Sequence, residues 1–187
     1  MKKMALSAGF AVLSTLALAE SEAPASYPVL IYNQDLPQKL IKTLPKTAPM
    51  LKAGDKAALS GDAPYLKSMQ VLAVDSDRGG LEPYDLNALP PYETKQQHSG
   101  GTRLNIVTVE KGFGRAYAKY NGANVMSTDT AICQDWNGGW RGCQNGEIVG
   151  GWMRTWNVAG RGPGQFEAWS TSLNMPYNTY RVNLKVR

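Results

Sequence analysis

Thr179-Tyr180-Arg181-Val182-Asn183-Leu184-Lys185-Val186-Arg187 alternates apolar and polar side chains without a break. Tyr180, Val182, Leu184 and Val186 fall on one side, and Arg181, Asn183, Lys185 and Arg187 on the other. Successive side chains of an extended chain point to opposite faces, so this pattern predicts a strand with one buried and one wetted face. Working back from it, similar short runs end at glycine, asparagine or proline. They are Gln165 to Leu173, Ile148 to Val158, Ala123 to Cys133, Gly112 to Tyr120, Arg103 to Glu110 and Lys67 to Val74. Asn121-Gly122 between two of them is a hairpin signal, because both central residues accept a positive φ.

About seven strands separated by turns predict an all-β fold, an antiparallel β-sandwich over residues 65–187, with a partly closed β-barrel as the alternative. Pro83 to His98 has little periodicity and reads as a long loop. Residues 20–64 differ in composition, with Pro24, Pro28, Pro37, Pro45, Pro49 and Pro64 and a run of lysines. This proline- and lysine-rich stretch reads as a linker or pro-segment holding one short helix. Asp35 suits its cap, Leu36, Leu40, Ile41 and Leu44 share a face, and Pro45 stops it. That face either packs on the chain's own domain or docks on a membrane or partner.

Before it, Lys2 and Lys3 precede an apolar run from Met4 to Leu16 that ends in Ala17-Leu18-Ala19. The run is too short to span a bilayer and reads as a signal peptide over residues 1–19, cleaved after Ala19. The expected location is therefore secreted or periplasmic. Losing Lys2 and Lys3 from 20 bases leaves 18 against 15 acids, a mildly basic mature protein. Such an excess suits anionic glycans, headgroups or acidic proteins, and export argues against nucleic acid. In an oxidising compartment the two cysteines, Cys133 and Cys143, should be bridged. Closing that loop contributes roughly 3 kcal/mol in the chain-entropy model. With one histidine and no second cysteine pair, the composition implies no metal and no cofactor.

Five tryptophans, Trp136, Trp140, Trp152, Trp156 and Trp169, lie between Cys133 and Ser170. Trp136 and Trp140 fall inside the expected disulfide loop beside Arg141. There they either form an aromatic platform for a sugar face or fold over the end of the sandwich as a lid. Trp152, Arg154 and Trp156 share a strand face, which allows the cation to stack between rings. Trp136, Trp140, Arg141, Trp152, Arg154 and Trp156 are accordingly the expected ligand-binding residues. Lys111, Phe113, Arg115, Tyr117 and Lys119 form a second basic and aromatic face, opposite Gly112, Gly114, Ala116 and Ala118.

From Leu66 onward the chain resembles the small secreted YolA-like family of bacterial proteins. The likeness rests on Gly100-Gly101-Thr102, on Gly112-Phe113-Gly114-Arg115-Ala116 leading to Asn121-Gly122, on Gly151 to Asn157, and on Thr171 to Thr179. The resemblance implies an exported β-domain and supplies no catalytic residues. The Cys133 to Cys143 insert and the proline-rich leader depart from that pattern.

Candidates for chemistry are few. Asp75-Ser76-Asp77-Arg78-Gly79-Gly80 begins like a calcium loop but lacks the later ligands, and reads as a turn at a strand end. His98 stands in a polar stretch without a nucleophile motif and reads as an exposed loop residue. Asp129, Asp135, Glu147 and Glu167 would serve a glycosidase if two of them converged. The residues therefore favour an exported, non-enzymatic binding protein for a glycan or other cell-surface ligand. The alternatives are an inhibitor of an extracellular enzyme, a toxin acting at an anionic membrane surface, and a carboxylate-dependent hydrolase.

Overall fold

A computed structural model describes residues 35–46 and 65–187. The expected signal peptide and most of the expected linker lie outside the described residues, which all belong to one compact unit, Ile31–Arg187. That unit is an antiparallel sandwich of two sheets, as the alternating runs predict. The larger sheet has six strands. In spatial order they are β2 (Gly80–Pro83), β1 (Ser68–Ser76), β3 (Leu104–Lys111), β8 (Gly151–Asn157), β6 (Ser127–Gln134) and β7 (Trp140–Gly142). The smaller has four: β10 (Thr179–Val186), β9 (Gly164–Ser172), β4 (Gly114–Tyr120) and β5 (Ala123–Val125).

The core between the sheets is built from the inward positions of both. Leu104, Ile106 and Trp156 meet Tyr120, Phe166, Ala168, Val182, Leu184 and Val186. The apolar side of the alternation in β10 is thus the core side. β3 is buried on both faces, because a second cluster covers the outer side of the six-stranded sheet. There the helix α1 (Asp35–Ile41) lays Leu36, Leu40 and Ile41, with Leu44 just beyond it, over Leu72, Val107, Val109, Ile132 and Met153. Seven residues are too few for a helix to persist in water alone, so this burial is what holds it.

Two expected strand boundaries are corrected. Ala123 to Cys133 is two strands: β5 pairs with β4, Met126 turns outward, and β6 pairs with β8 in the other sheet. Gly112 to Tyr120 does not start as one strand either, since Lys111 ends β3 in one sheet and β4 opens in the other at Gly114. Between them Gly112 takes φ +91°, and a Cβ there would lie 2.1 Å from the Tyr65 carbonyl oxygen, so the crossing requires glycine. Asp75 to Gly80 is the β1–β2 hairpin, and β2 and β7 are strands too short to show a period. Asn121 and Gly122 take φ 50° and 80° in the β4–β5 hairpin, as their residue types predict.

Candidate functional site

The disulfide closes between Cys133 and Cys143 and pins the β6–β7 hairpin. Arg141 stiffens its base, donating from Nε to Asp135 at 2.8 Å and from Nη1 to Glu147 at 2.7 Å. The Arg141 guanidinium and the Gln144 N–H hold the Glu147 carboxyl down at about 2. The two rings of this hairpin have separate fates. Trp136 is 82% exposed at the tip, whereas Trp140 is 7% exposed beneath α1 with Leu36, Leu40 and Ile132. The expected platform is therefore corrected to a single exposed ring, because the helix covers the sheet face on which Trp140 stands.

Trp152, Arg154 and Trp156 do share a face, but it is the inner one. Trp156 lies in the inter-sheet core with its indole N–H on Thr108 Oγ1 at 2.9 Å, so it is no surface ligand contact. Arg154 is buried as well. Its guanidinium binds the fully buried Glu110 (Nε to Oε1, 2.8 Å), the Gly114 carbonyl (3.1 Å) and the Asp129 carboxylate. Burial pushes the Glu110 carboxyl up, and the Arg154 charge opposes that shift. The expected stacking of the cation between two rings is reduced to one ring, with Arg154 5.7 Å from the Trp152 centroid. Half-buried Trp152 in turn meets Phe113 edge to face at 6.2 Å.

Of the four carboxylates considered for hydrolysis, only Asp135 and Glu147 come together, and both are engaged by one guanidinium, that of Arg141. Asp129 is tied to Arg154, and Glu167 stands on the outer face of β9 opposite Lys119. His98 corrects a further expectation, since it is fully buried. The chain around it runs beside β10, with the His98 and Ser99 N–H groups on the Arg187 carbonyl, and this tucks the ring under the β1–β2 turn. A Cβ at Gly79 would sit 2.6 Å from that ring. His98 contacts Ser76 Oγ at 2.8 Å through Nδ1 and Glu82 at 3.1 Å through Nε2. Burial pushes the Glu82 carboxyl up, but the N–H groups of Lys95 and Gln96 and the hydroxyl of Tyr84, joined by His98, outweigh it and hold it at about 2. These are the residue types of a nucleophilic relay. Yet Ser76 is fully buried and its oxygen already accepts the Gly79 N–H at 2.8 Å, leaving no approach for a substrate carbonyl.

The accessible site lies on the outer face of the four-stranded sheet. Cross-strand register puts Tyr117, Trp169 and Arg181 in one row, on β4, β9 and β10 respectively. Tyr117 stacks on Trp169 with centroids 5.9 Å apart and planes 27° apart. Arg181 approaches Trp169 from the β10 side at 5.8 Å, and Lys119 from the β4 side at 6.0 Å. Trp169 is thus enclosed between neighbours, while Tyr117, 49% exposed, forms the open end of the stack. It borders a groove of about 380 Å³. The groove is walled by Tyr117, Lys119, Asn124, Met126 and Ser127, and floored by Ala118, Val125 and Trp156. It exists because β5 pairs with β4 only from Ala118 to Tyr120, leaving the earlier part of the β4 edge without a strand partner among the described residues. The Ala116 backbone stands on that unpaired side, since Arg115 and Tyr117 are the residues that bond to β9 by the alternation of an antiparallel ladder.

A family model described as a domain of unknown function (DUF4879) matches residues 49–186. The chain belongs to that DUF4879 family. No curated protein and no solved structure matches it. The DUF4879 match takes in all ten strands, the disulfide hairpin and the Tyr117 groove, while α1 precedes it. Of the groove residues, Tyr117 and Lys119 are legible in the sequence as part of a basic and aromatic face. Trp169 joins them only through the cross-strand register, although its place between Glu167 and Thr171 on the wetted side of its strand is a readable signal.

Proposed function

We propose that this DUF4879 protein is an exported binding protein that takes an anionic glycan at the Tyr117 groove. The open end of the Arg181–Trp169–Tyr117 stack carries the reading. A flat ring fixed by stacking on one side offers its free side to a sugar face at little entropic cost. Lys119, Arg181 and Arg115 make the surroundings cationic, against Glu167 and the Arg154-paired Asp129 to which Ser127 donates, which favours a sugar bearing carboxylate or sulfate. Asn124, Ser127 and the Ala116 backbone supply hydrogen-bonding groups for hydroxyls. Export is supported by the leader, by the likeness to the secreted YolA-like proteins, and by a disulfide of the kind oxidising compartments maintain. Among the described residues no helix is long and apolar enough to cross a membrane.

Calorimetric titration with heparin, polygalacturonate and neutral dextran tests the reading. An acidic polysaccharide should bind, dextran should not, and affinity should fall with salt. Tyr117→Ala should weaken binding by about tenfold, in line with one aromatic contact, with the melting temperature nearly unchanged. Trp136→Ala should leave binding intact. Loss of binding in Trp136→Ala but not in Tyr117→Ala would transfer the function to the disulfide hairpin, and no binding of either acidic polysaccharide would overturn the reading.

A further inference from the structure

The β9–β10 loop, residues 173–178, presents Leu173, Met175 and Tyr177 to solvent, with Met175 75% and Tyr177 62% exposed. A flexible loop would fold such side chains back onto the domain, and this one is prevented from doing so. The Leu173 N–H donates to the Phe113 carbonyl at 3.2 Å, the Ser172 N–H to Asn178 O at 2.9 Å, and the Tyr177 N–H to Asn174 O at 3.0 Å. Ser172 Oγ donates to Asn174 O at 2.7 Å, and Asn178 Nδ2 ties the loop to the Leu66 carbonyl at 3.1 Å. These bonds hold the loop's backbone to the domain and the apolar side chains are left facing outward.

The neighbouring chain adds to this tip rather than covering it. Tyr65 bridges to Phe113 and is itself exposed, with Lys67 Nζ 5.7 Å from its ring centroid. The three segments that meet here, residues 65–67, 111–115 and 173–179, carry exposed Lys67 and Arg115 and half-buried Lys111, and not one acid. A fixed cluster of large apolar side chains, with tyrosines at its margin and a collar of cations behind, matches the layers of an anionic bilayer surface. Leu and Met suit the acyl boundary, Tyr the headgroup level, and Lys and Arg the phosphates.

We infer that this end of the sandwich docks peripherally on an anionic phospholipid surface, with the β9–β10 loop entering the interface. The contact shares Arg115 with the surroundings of the Tyr117 groove but none of the groove's lining, so either can fail alone.

The test uses the full chain with its disulfide closed and one thiol introduced, Met175→Cys at the tip or Gly162→Cys at the opposite end, labelled with an environment-sensitive fluorophore. Gly162 is exposed, has open space where a Cβ would stand and no positive φ, so the control tolerates the change. The apolar N-terminal run is common to both proteins, and only the difference between positions reads the tip. With vesicles of phosphatidylglycerol and phosphatidylcholine in equal parts, the Met175 label should brighten several-fold and the Gly162 label should not. Phosphatidylcholine vesicles should produce little change at either position. In sedimentation, Leu173→Ser combined with Tyr177→Ser should lower the bound fraction at least about fivefold, since both apolar burial and interface anchoring are lost. An equal response at both positions, a Met175 response indifferent to phosphatidylglycerol, or unchanged sedimentation of the double variant overturns the inference, the last two pointing instead to a protein partner for the tip.

Discussion

Trp136 and Trp140 stand four residues apart in one disulfide-closed hairpin, yet the first ring is in solvent and the second is sealed between that hairpin and α1. Their substitution should therefore separate cleanly. Trp140→Ala removes a ring packed against Leu36, Leu40 and Ile132 and should cost about 3 kcal/mol or more. Trp136→Ala removes a ring with almost nothing to lose and should stay within about 0.5 kcal/mol of the parent. Urea midpoints of the two variants check this, and equal losses would mean that the hairpin does not sit under the helix.

The Arg154 ion cluster should respond strongly to loss of either member. Arg154→Met strips from fully buried Glu110 the cation it pairs with among the described residues and should destabilise by about 3–5 kcal/mol. Adding Glu110→Gln to it removes the stranded charge and should restore a large part of that loss. Thermal melting of the two single variants and the double closes the cycle, and strict additivity would count against a coupled pair.

Glu82 gives the stability a defined acid limb. Its carboxyl is held at about 2 in the folded protein, against 4.5 for an ordinary glutamate. Between those values the unfolded chain binds the extra proton, so the Glu82 contribution is complete above the upper value and drains away as pH falls toward the lower one. Urea midpoints followed from neutral pH downward should therefore fall through this window, and less steeply in Glu82→Gln. Glu82→Gln should also be less stable at neutral pH, where the carboxylate otherwise accepts the Lys95 and Gln96 N–H groups and the Tyr84 hydroxyl. A slope identical in the parent and the variant would assign the acid limb to other carboxylates.

The disulfide should matter through the unfolded chain. Replacing Cys133 and Cys143 by serine together reopens the short loop and should cost about 3 kcal/mol. Because Trp140 and Arg141 lie on β7 inside that loop, indole fluorescence should report looser packing of the hairpin while the far-ultraviolet spectrum stays strand-like. A spectrum without strand character would mean that the bridge is needed for the fold itself.

Much of this arrangement is legible along the chain where it depends on neighbours in sequence. Tyr180 to Val186 repeats every second residue, so its buried and wetted faces follow from strand geometry alone, and Asn121-Gly122 marks its turn because few other residue pairs take two positive φ angles. Leu36, Leu40, Ile41 and Leu44 likewise declare a helical face that needs a cover. The sheet crossings at Gly112 and Met126 are not local, since an extended chain reads the same whether its partner strand lies in one sheet or the other.

The sequence by itself determined that this protein is an all-β domain with an amphipathic helix and a disulfide loop, because side-chain period, turn chemistry and cysteine pairing are properties of short stretches. Tertiary structure alone decided what each face meets. Burial depends on which distant element arrives: α1 reaches Trp140, the segment beside β10 carries His98 under Gly79, the second sheet encloses Trp156 and Arg154, and the shortness of β5 leaves the Tyr117 groove open. An aromatic or charged side chain has the same local signature in each of those settings, so its role is set by the cover it receives and not by the residues next to it.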